Sequence, residues 1–105
     1  MPKQVELVLD RDCPNVEAAR MQLRRAFETI GETASWQEWD RDDPTCPAYA
    51  RAFGSPTILV DREDVSGAGG RADANSCRVY EDEEGRLVGV PPLDVITAAL
   101  GRTTA

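Results

Sequence analysis

One cysteine stands directly before a proline in the segment DRDCPNVEAA, residues 10–19. The apolar run VELVL before it predicts a buried strand, and the apolar residues from Val16 onward recur at helical spacing. Pro14 suits the first helical turn, which places Cys13 at or near the N-cap, where backbone N–H groups and the helix dipole favour a thiolate. Arg11 would assist this thiolate, whereas Asp10 and Asp12 would oppose it. We predict that Cys13 is a nucleophile; the alternative is a small buried residue.

The chain contains two further cysteines and no histidine. Cys77 is the best candidate for a second thiol, because a polar loop before it could bring it toward Cys13; the alternative is a buried strand residue. Cys46 precedes Pro47 at another predicted helix start, which favours a lowered pKa, and its alternative is an exposed or capping loop residue. Converging thiols would suit mercury(II), copper(I) or zinc, but the spacing 13, 46, 77 matches no compact metal-ligand pattern.

Composition excludes several functional classes. The absence of histidine removes imidazole zinc sites and histidine-based nucleophile pairs. A net charge of -7 disfavours nucleic acid and anionic membrane surfaces as partners. The apolar stretch near the N-terminus is too short for a signal peptide or a membrane span, so we expect a cytoplasmic protein. The 105 residues predict a single domain, 1–105.

The chain is predicted to alternate strands and helices in the order βαβαββα. The first helix runs from Val16 to Ile30 and stops at Gly31. The polar stretch 61–75, which contains GAGG, predicts a mobile loop. The remaining predicted elements are strands at 5–9, 34–39, 57–60 and 77–80, the last two forming an antiparallel hairpin, a helix at 47–53, and a last helix begun by Pro91–Pro92 and closed by Gly101.

This order, the position of Cys13 between the first strand and first helix, and GSPT before the third strand together resemble the thioredoxin-like superfamily. The resemblance implies an α/β fold with a four-stranded mixed sheet and three helices. It also implies a cis Ser55–Pro56 bond with exposed backbone groups that pair with an extended substrate or glutathione. Substrate-binding residues would then be Pro14, Ser55, Pro56 and Thr57. The combination of DCPN, FGSPTILV, SCRVY and GVPP is similar to small bacterial members, some with labels connected with organomercurial handling.

The resemblance departs from the family at the usual Cys-x-x-Cys motif, which here reads Cys13-Pro14-Asn15-Val16. Without a second cysteine at Val16, a mixed disulfide at Cys13 needs another thiol. The sequence therefore predicts a thiol-disulfide oxidoreductase without a cofactor. Its partner would be a protein disulfide or a small thiol such as glutathione, and Cys77 or glutathione would resolve the mixed disulfide that forms on Cys13. The alternatives are a soft-metal or organomercurial-binding protein, using Cys13 with Cys77 or Cys46, and a non-catalytic interaction domain.

Overall fold

The computed structural model describes residues 4–66, 80–81 and 84–102. Within these residues the chain alternates strands and helices, and the architecture is α/β, as the sequence predicts. In chain order the elements are β1 (Val5–Leu9), α1 (Val16–Ile30), β2 (Gln37–Asp40), α2 (Ala48–Arg51), β3 (Thr57–Val60), β4 (Glu63–Asp64), β5 (Tyr80–Glu81), β6 (Leu87–Val88) and α3 (Leu93–Arg102).

Strands β1 to β4 form one mixed sheet in the order β2-β1-β3-β4. β1 runs parallel to β2 and antiparallel to β3, so that Val8 lies opposite both Trp39 and Thr57. β4 forms an antiparallel edge beside β3, and β5 pairs with β6 in a separate antiparallel ribbon. The predicted four-stranded mixed sheet and three helices are confirmed, although the described elements follow the order βαβαββββα rather than βαβαββα.

The two faces of the sheet bury different amounts of apolar surface. Successive strand residues point to opposite faces, so Leu7 of β1 packs beneath α1 and α3 while Val8 lies on the side of α2. We call these sides the α1/α3 face and the α2 face. The α1/α3 face buries Val5, Leu7, Leu9, Cys13, Val16, Ala19, Leu23, Ala26, Phe27, Ile58, Val60, Val65, Ile96, Ala99 and Leu100. The α2 face buries Val8, Cys46, Ala50 and Leu59, with Trp39, Tyr49 and Phe53 partly buried around them.

The bounds of α1 are those that its periodicity predicts. Its buried residues recur three and four apart and form the stripe that packs against α3. Gly31 ends the helix with a left-handed φ of 73°, a conformation that glycine adopts at little cost. Its N–H donates to the Glu28 carbonyl and the N–H of Glu32 donates to the Phe27 carbonyl, so the last helical carbonyls are satisfied.

Two predicted elements have different bounds in the structure. β2 spans Gln37–Asp40 instead of 34–39, because its parallel pairing with β1 extends only from Glu6 to Leu9. α2 is one turn, Ala48–Arg51, instead of 47–53. It ends early because the N–H of Phe53 donates to the carbonyl only three residues before it, in a tight turn.

The prediction that 61–75 is entirely a loop is wrong, because β4 lies within it. Asp61 and Arg62 have positive φ values of 52° and 67° and form a two-residue turn that places Glu63 opposite Val60. Asn and Gly are the usual residues of such a turn, so the sequence gives no signal for it. Within the described residues, the hairpin partner of β3 is therefore β4. Tyr80 instead begins β5, while 67–79 lie outside the described residues.

α3 begins soon after Pro91–Pro92, as predicted, and continues through Gly101 to Arg102 instead of ending at the glycine. Ile96, Ala99 and Leu100 are its contribution to the α1/α3 face. Within the part of the chain that the structure describes, no helix has both the length and the apolar character needed to cross a membrane.

Candidate thiol site

Cys13 lies in the turn that connects β1 to α1. Its N–H donates to the Asp10 carbonyl at 3.0 Å, and its carbonyl accepts from the Val16 N–H at 3.4 Å. α1 begins at Val16 with Asn15 as its N-cap, so Cys13 stands two residues before the cap. The prediction that Pro14 occupies the first helical turn is wrong, because Asn15 supplies the first carbonyl to the helix, accepting from the Ala19 N–H at 3.0 Å.

The side chain of Cys13 is largely buried. The residue is 8% exposed and packs in the apolar cluster of the α1/α3 face. Val16, which stands where the family motif has its second cysteine, is also 8% exposed and belongs to the same cluster. A partner of the thiol therefore approaches through a small exposed surface, and the position that resolves a mixed disulfide in the family motif is occupied by a core side chain.

Gly89, in the segment GVPP, lies against Asn15 at the start of α1. A Cβ atom built on Gly89 would lie 2.3 Å from Asn15 Nδ2 and 2.5 Å from Asn15 Cγ, far inside van der Waals contact. A side chain at this position would therefore require the Asn15 side chain to move. Gly89, which was not among the predicted site residues, therefore packs against the N-cap residue of α1, two positions after Cys13.

The second predicted part of the site is the turn before β3, where the Ser55–Pro56 peptide bond is cis, as the resemblance implies. Because β1 and β3 are antiparallel with Val8 opposite Thr57, the end of β1 and the start of β3 lie at the same edge of the sheet. The Asp10 N–H donates to Ser55 Oγ at 2.9 Å. The turn that carries Cys13 and the turn that carries Pro56 are thus joined by a direct hydrogen bond.

The expectation of exposed backbone groups around Pro56 is wrong. Ser55 and Thr57 are 0% exposed, and Pro56 is among the fully buried residues. The Thr57 hydroxyl donates to the Gly54 carbonyl at 2.7 Å, and the hydroxyl of Tyr80 donates to the Pro56 carbonyl. An extended partner that paired with the Pro56 carbonyl would have to compete with the buried phenol of Tyr80.

Two crossed ion pairs join the ends of β1 and β2. Arg11 pairs with Asp40 and Arg41 pairs with Asp10, each at 3.0 Å. The Asp10 carboxylate beside the Cys13 turn is therefore neutralised, and Arg11 is engaged by Asp40 rather than reserved for the thiol. Sequence reasoning missed Arg41, although the repeated tripeptide Asp-Arg-Asp after each strand, at 10–12 and 40–42, is the signal that could have indicated it.

Cys46 lies on the other face of the sheet from Cys13. It is 4% exposed, packs with Val8 and Leu59, and its Sγ lies 3.7 Å from the Pro47 carbonyl oxygen. Burial raises the pKa of the Cys46 thiol, and the opposing effect of the nearby Arg51 is smaller. The predicted lowering of this pKa is wrong, because the one-turn helix after Pro47 offers too few aligned peptide dipoles to offset desolvation.

The sheet therefore separates the two thiols that the structure describes. Cys13 belongs to the α1/α3 face and Cys46 to the α2 face, so they do not meet in a disulfide or on one metal ion in this arrangement. Cys77 lies outside the described residues. Within those residues, no group of three or more cysteine, aspartate or glutamate side chains is arranged to hold a metal ion.

A buried carboxylate on the α2 face was not anticipated. Glu6 is 0% exposed; its Oε2 accepts from Trp39 Nε1 at 2.6 Å and from the hydroxyl of Tyr49, and its Oε1 accepts from Gln4 Nε2 at 3.2 Å. Burial, followed by the hydrogen bond to Glu6, raises the pKa of Tyr49 above its ordinary value of 10.0. The signal was the single acidic residue inside the run VELVL.

No protein-family model matches the chain, and comparisons with curated proteins and with solved structures found no match either.

Proposed function

We propose that the protein is a thioredoxin-like thiol protein in which Cys13 is the attacking sulfur. The observation that carries the proposal is the hydrogen bond between the Asp10 N–H and Ser55 Oγ, which joins the Cys13 turn to the turn with the cis Pro56 bond. A strand–helix–strand unit with parallel strands, followed by a helix and an antiparallel third strand, also supports the resemblance.

The proposed chemistry is thiol–disulfide exchange. The Cys13 thiolate attacks one sulfur of a disulfide, a mixed disulfide forms, and the other sulfur leaves as a thiolate. If glutathione resolves the mixed disulfide, its thiolate attacks the partner's sulfur and Cys13 leaves as a thiolate. If Cys77 resolves it, the Cys77 thiolate attacks the Cys13 sulfur, a Cys13–Cys77 disulfide forms and the partner's sulfur leaves as a thiolate. Val16 has no sulfur, and Cys46 lies across the sheet, so the resolving thiol is glutathione or Cys77. Cys77 lies outside the described residues and stays a candidate on the ground of the sequence.

The direct test is mass spectrometry of the intact protein after incubation with oxidised glutathione under native conditions. In the unaltered protein and in Cys46→Ser we expect a glutathione adduct on Cys13, or a Cys13–Cys77 disulfide in its place if Cys77 resolves the adduct. In Cys13→Ser we expect neither species. Cys77→Ser separates the two resolving thiols, because the adduct accumulates in this variant if Cys77 resolves it. If Cys13→Ser keeps the adduct, or if Cys13 is alkylated no faster than an ordinary cysteine near neutral pH, the proposal is wrong.

A second candidate is a thioredoxin-like domain that serves protein interaction without thiol chemistry. The observation that favours it is burial, because Cys13 is 8% exposed and the residues around Pro56 are inaccessible. This candidate expects thiols that react only when denaturant is added. The same labelling experiment in native buffer and in denaturant therefore decides between the two.

A further inference from the structure

The segment that covers the α2 face, residues 46–53, is attached to the sheet by few groups. It contains a single helical turn, and its fully buried apolar contacts are made by Cys46 and Ala50 on Val8 and Leu59. By contrast, the opposite face is covered by two longer helices. The partly buried side chains of Tyr49 and Phe53 add to these contacts. With one helical turn on the sheet instead of two longer helices, we expect a smaller hydrophobic contribution to hold 46–53 than holds α1 and α3.

A polar contact also attaches the segment to the sheet. Tyr49 is the residue of 46–53 that donates to the buried Glu6 carboxylate, beside the donors Trp39 and Gln4. A buried carboxylate is costly unless its oxygens are hydrogen-bonded. Removing the Tyr49 hydroxyl therefore costs more than an ordinary neutral hydrogen bond, because the charged acceptor loses a donor.

The β3–β4 turn holds the same tyrosine from outside. The guanidinium carbon of Arg62 lies 4.5 Å from the centre of the Tyr49 ring, a cation–π contact. Arg62 makes this contact from a backbone with positive φ, a conformation that residues other than glycine seldom adopt. Tyr49 is thus held at its hydroxyl by Glu6 of the central strand and at its ring by Arg62 of the turn.

We propose that Glu6, Tyr49 and Arg62 form a latch that fastens 46–53 to the sheet and whose opening exposes the thiol of Cys46 while the α1/α3 face stays folded. In the closed state the thiol is 4% exposed and packed on Val8. Opening moves the sulfur into water, near the guanidinium of Arg51 on the same segment. The latch is independent of the chemistry proposed for Cys13.

The test uses the full chain with Cys13→Ser and Cys77→Ser, which leaves Cys46 as the sole thiol of the three. Ellman's reagent in native buffer reports its exposure. We expect a labelling rate that changes little over low urea concentrations, as for a local opening. Adding Tyr49→Phe, which keeps the ring under Arg62, should raise this rate about tenfold or more, from the loss of a hydrogen bond to a charged group.

Tyr80→Phe is the matched control, because it removes the buried hydroxyl of the chain's other tyrosine, which bonds to Pro56. It should raise the labelling rate of Cys46 far less than Tyr49→Phe. Arg62→Ala keeps the hydroxyl and should raise the rate a few-fold, which tests the latch even if Tyr49→Phe fails to fold. Equal effects of the two tyrosine variants, no effect of Arg62→Ala, or a urea dependence as steep as that of global unfolding would overturn the proposal.

Discussion

The α1/α3 face of the sheet is an apolar core beneath two helices, whereas the α2 face holds a fully buried carboxylate beneath one helical turn. Both faces are built from neighbouring residues of β1, since Glu6 and Leu7 are each 0% exposed and point to opposite sides. Where helices cover the sheet, burial of apolar area suffices. Where a single turn covers the sheet, less apolar area is buried, and directional hydrogen bonds to the Glu6 carboxylate contribute to stability as well.

The largest expected effect comes from a matched pair of leucines. Leu7→Ala on the α1/α3 face should lower the free energy of unfolding by about 4 kcal/mol, because long helices on both sides of the cavity cannot close it. Leu59→Ala on the α2 face should cost about 2–3 kcal/mol, because a one-turn segment can settle into the space. Urea denaturation measures both losses. Equal losses would show that the α2 face does not relax around a cavity more readily than the α1/α3 face.

Replacing the buried carboxylate should have the next largest effect. Glu6→Gln places an amide where Trp39 and Tyr49 both donate, and we expect a loss of about 2 kcal/mol at neutral pH. Glu38→Gln, at a half-buried carboxylate on the same sheet, is the control and should cost much less. If Glu6→Gln were neutral or stabilising, the α2 face would be held by apolar contact alone.

Sequence periodicity was sufficient to predict the bounds of the elements whose buried side chains recur at regular spacing. α1 and β3 have the predicted bounds because the spacing of their apolar residues is dictated by the core. The turn at Asp61–Arg62 and the strand β4 could not be predicted, because they depend on tertiary contacts such as that of Arg62 with Tyr49. The proximity of the Cys13 turn and the Pro56 turn follows from the antiparallel pairing of β1 and β3. The engagement of the Pro56 carbonyl could not be predicted, because it depends on Tyr80, 24 residues away in the sequence.

The helices of the α1/α3 face offer a smaller test through two glycines. A methyl group at Gly31 meets nothing within 4 Å, but its φ of 73° is unfavourable for alanine. Gly31→Ala should therefore cost about 1 kcal/mol from backbone strain alone. Gly101→Ala also has open space and lies inside α3, so thermal denaturation should show a gain of about 0.5 kcal/mol. Changes of the same sign would argue against the backbone explanation.

The smallest expected effect concerns pH at the rim of the α1/α3 face, where Arg20 of α1 pairs with Glu38 of β2 at 2.8 Å. The hydrogen bond from Arg20 lowers the pKa of Glu38 below its ordinary 4.5. The stabilisation is thus fully present above that value and is lost as pH falls through the lower folded value. Because the pair is partly exposed, Glu38→Gln should cost less than about 1 kcal/mol at neutral pH.

Urea denaturation across the acid range checks this expectation. The difference between Glu38→Gln and the unaltered protein should shrink as pH falls below 4.5, where the carboxylate becomes protonated first in the unfolded state and then, at lower pH, in the folded state. A difference that stayed constant with pH would mean that shape or packing, rather than charge, is responsible for the effect of the substitution.

The crossed ion pairs at the ends of β1 and β2 also define how these strands align. β2 has no fully buried residue, so its apolar pattern alone specifies register weakly. The ion pairs Arg11–Asp40 and Arg41–Asp10 form in the register that places Leu9 opposite Asp40. A shift of the register by one residue would move both pairs apart. Added salt should weaken the Arg11 pair, whose arginine side chain is 79% exposed, far more than the Arg41 pair, whose arginine is 9% exposed. The register of this edge strand is therefore specified by charged side chains. The buried Arg41–Asp10 pair should maintain this register at salt concentrations that screen the exposed Arg11–Asp40 pair.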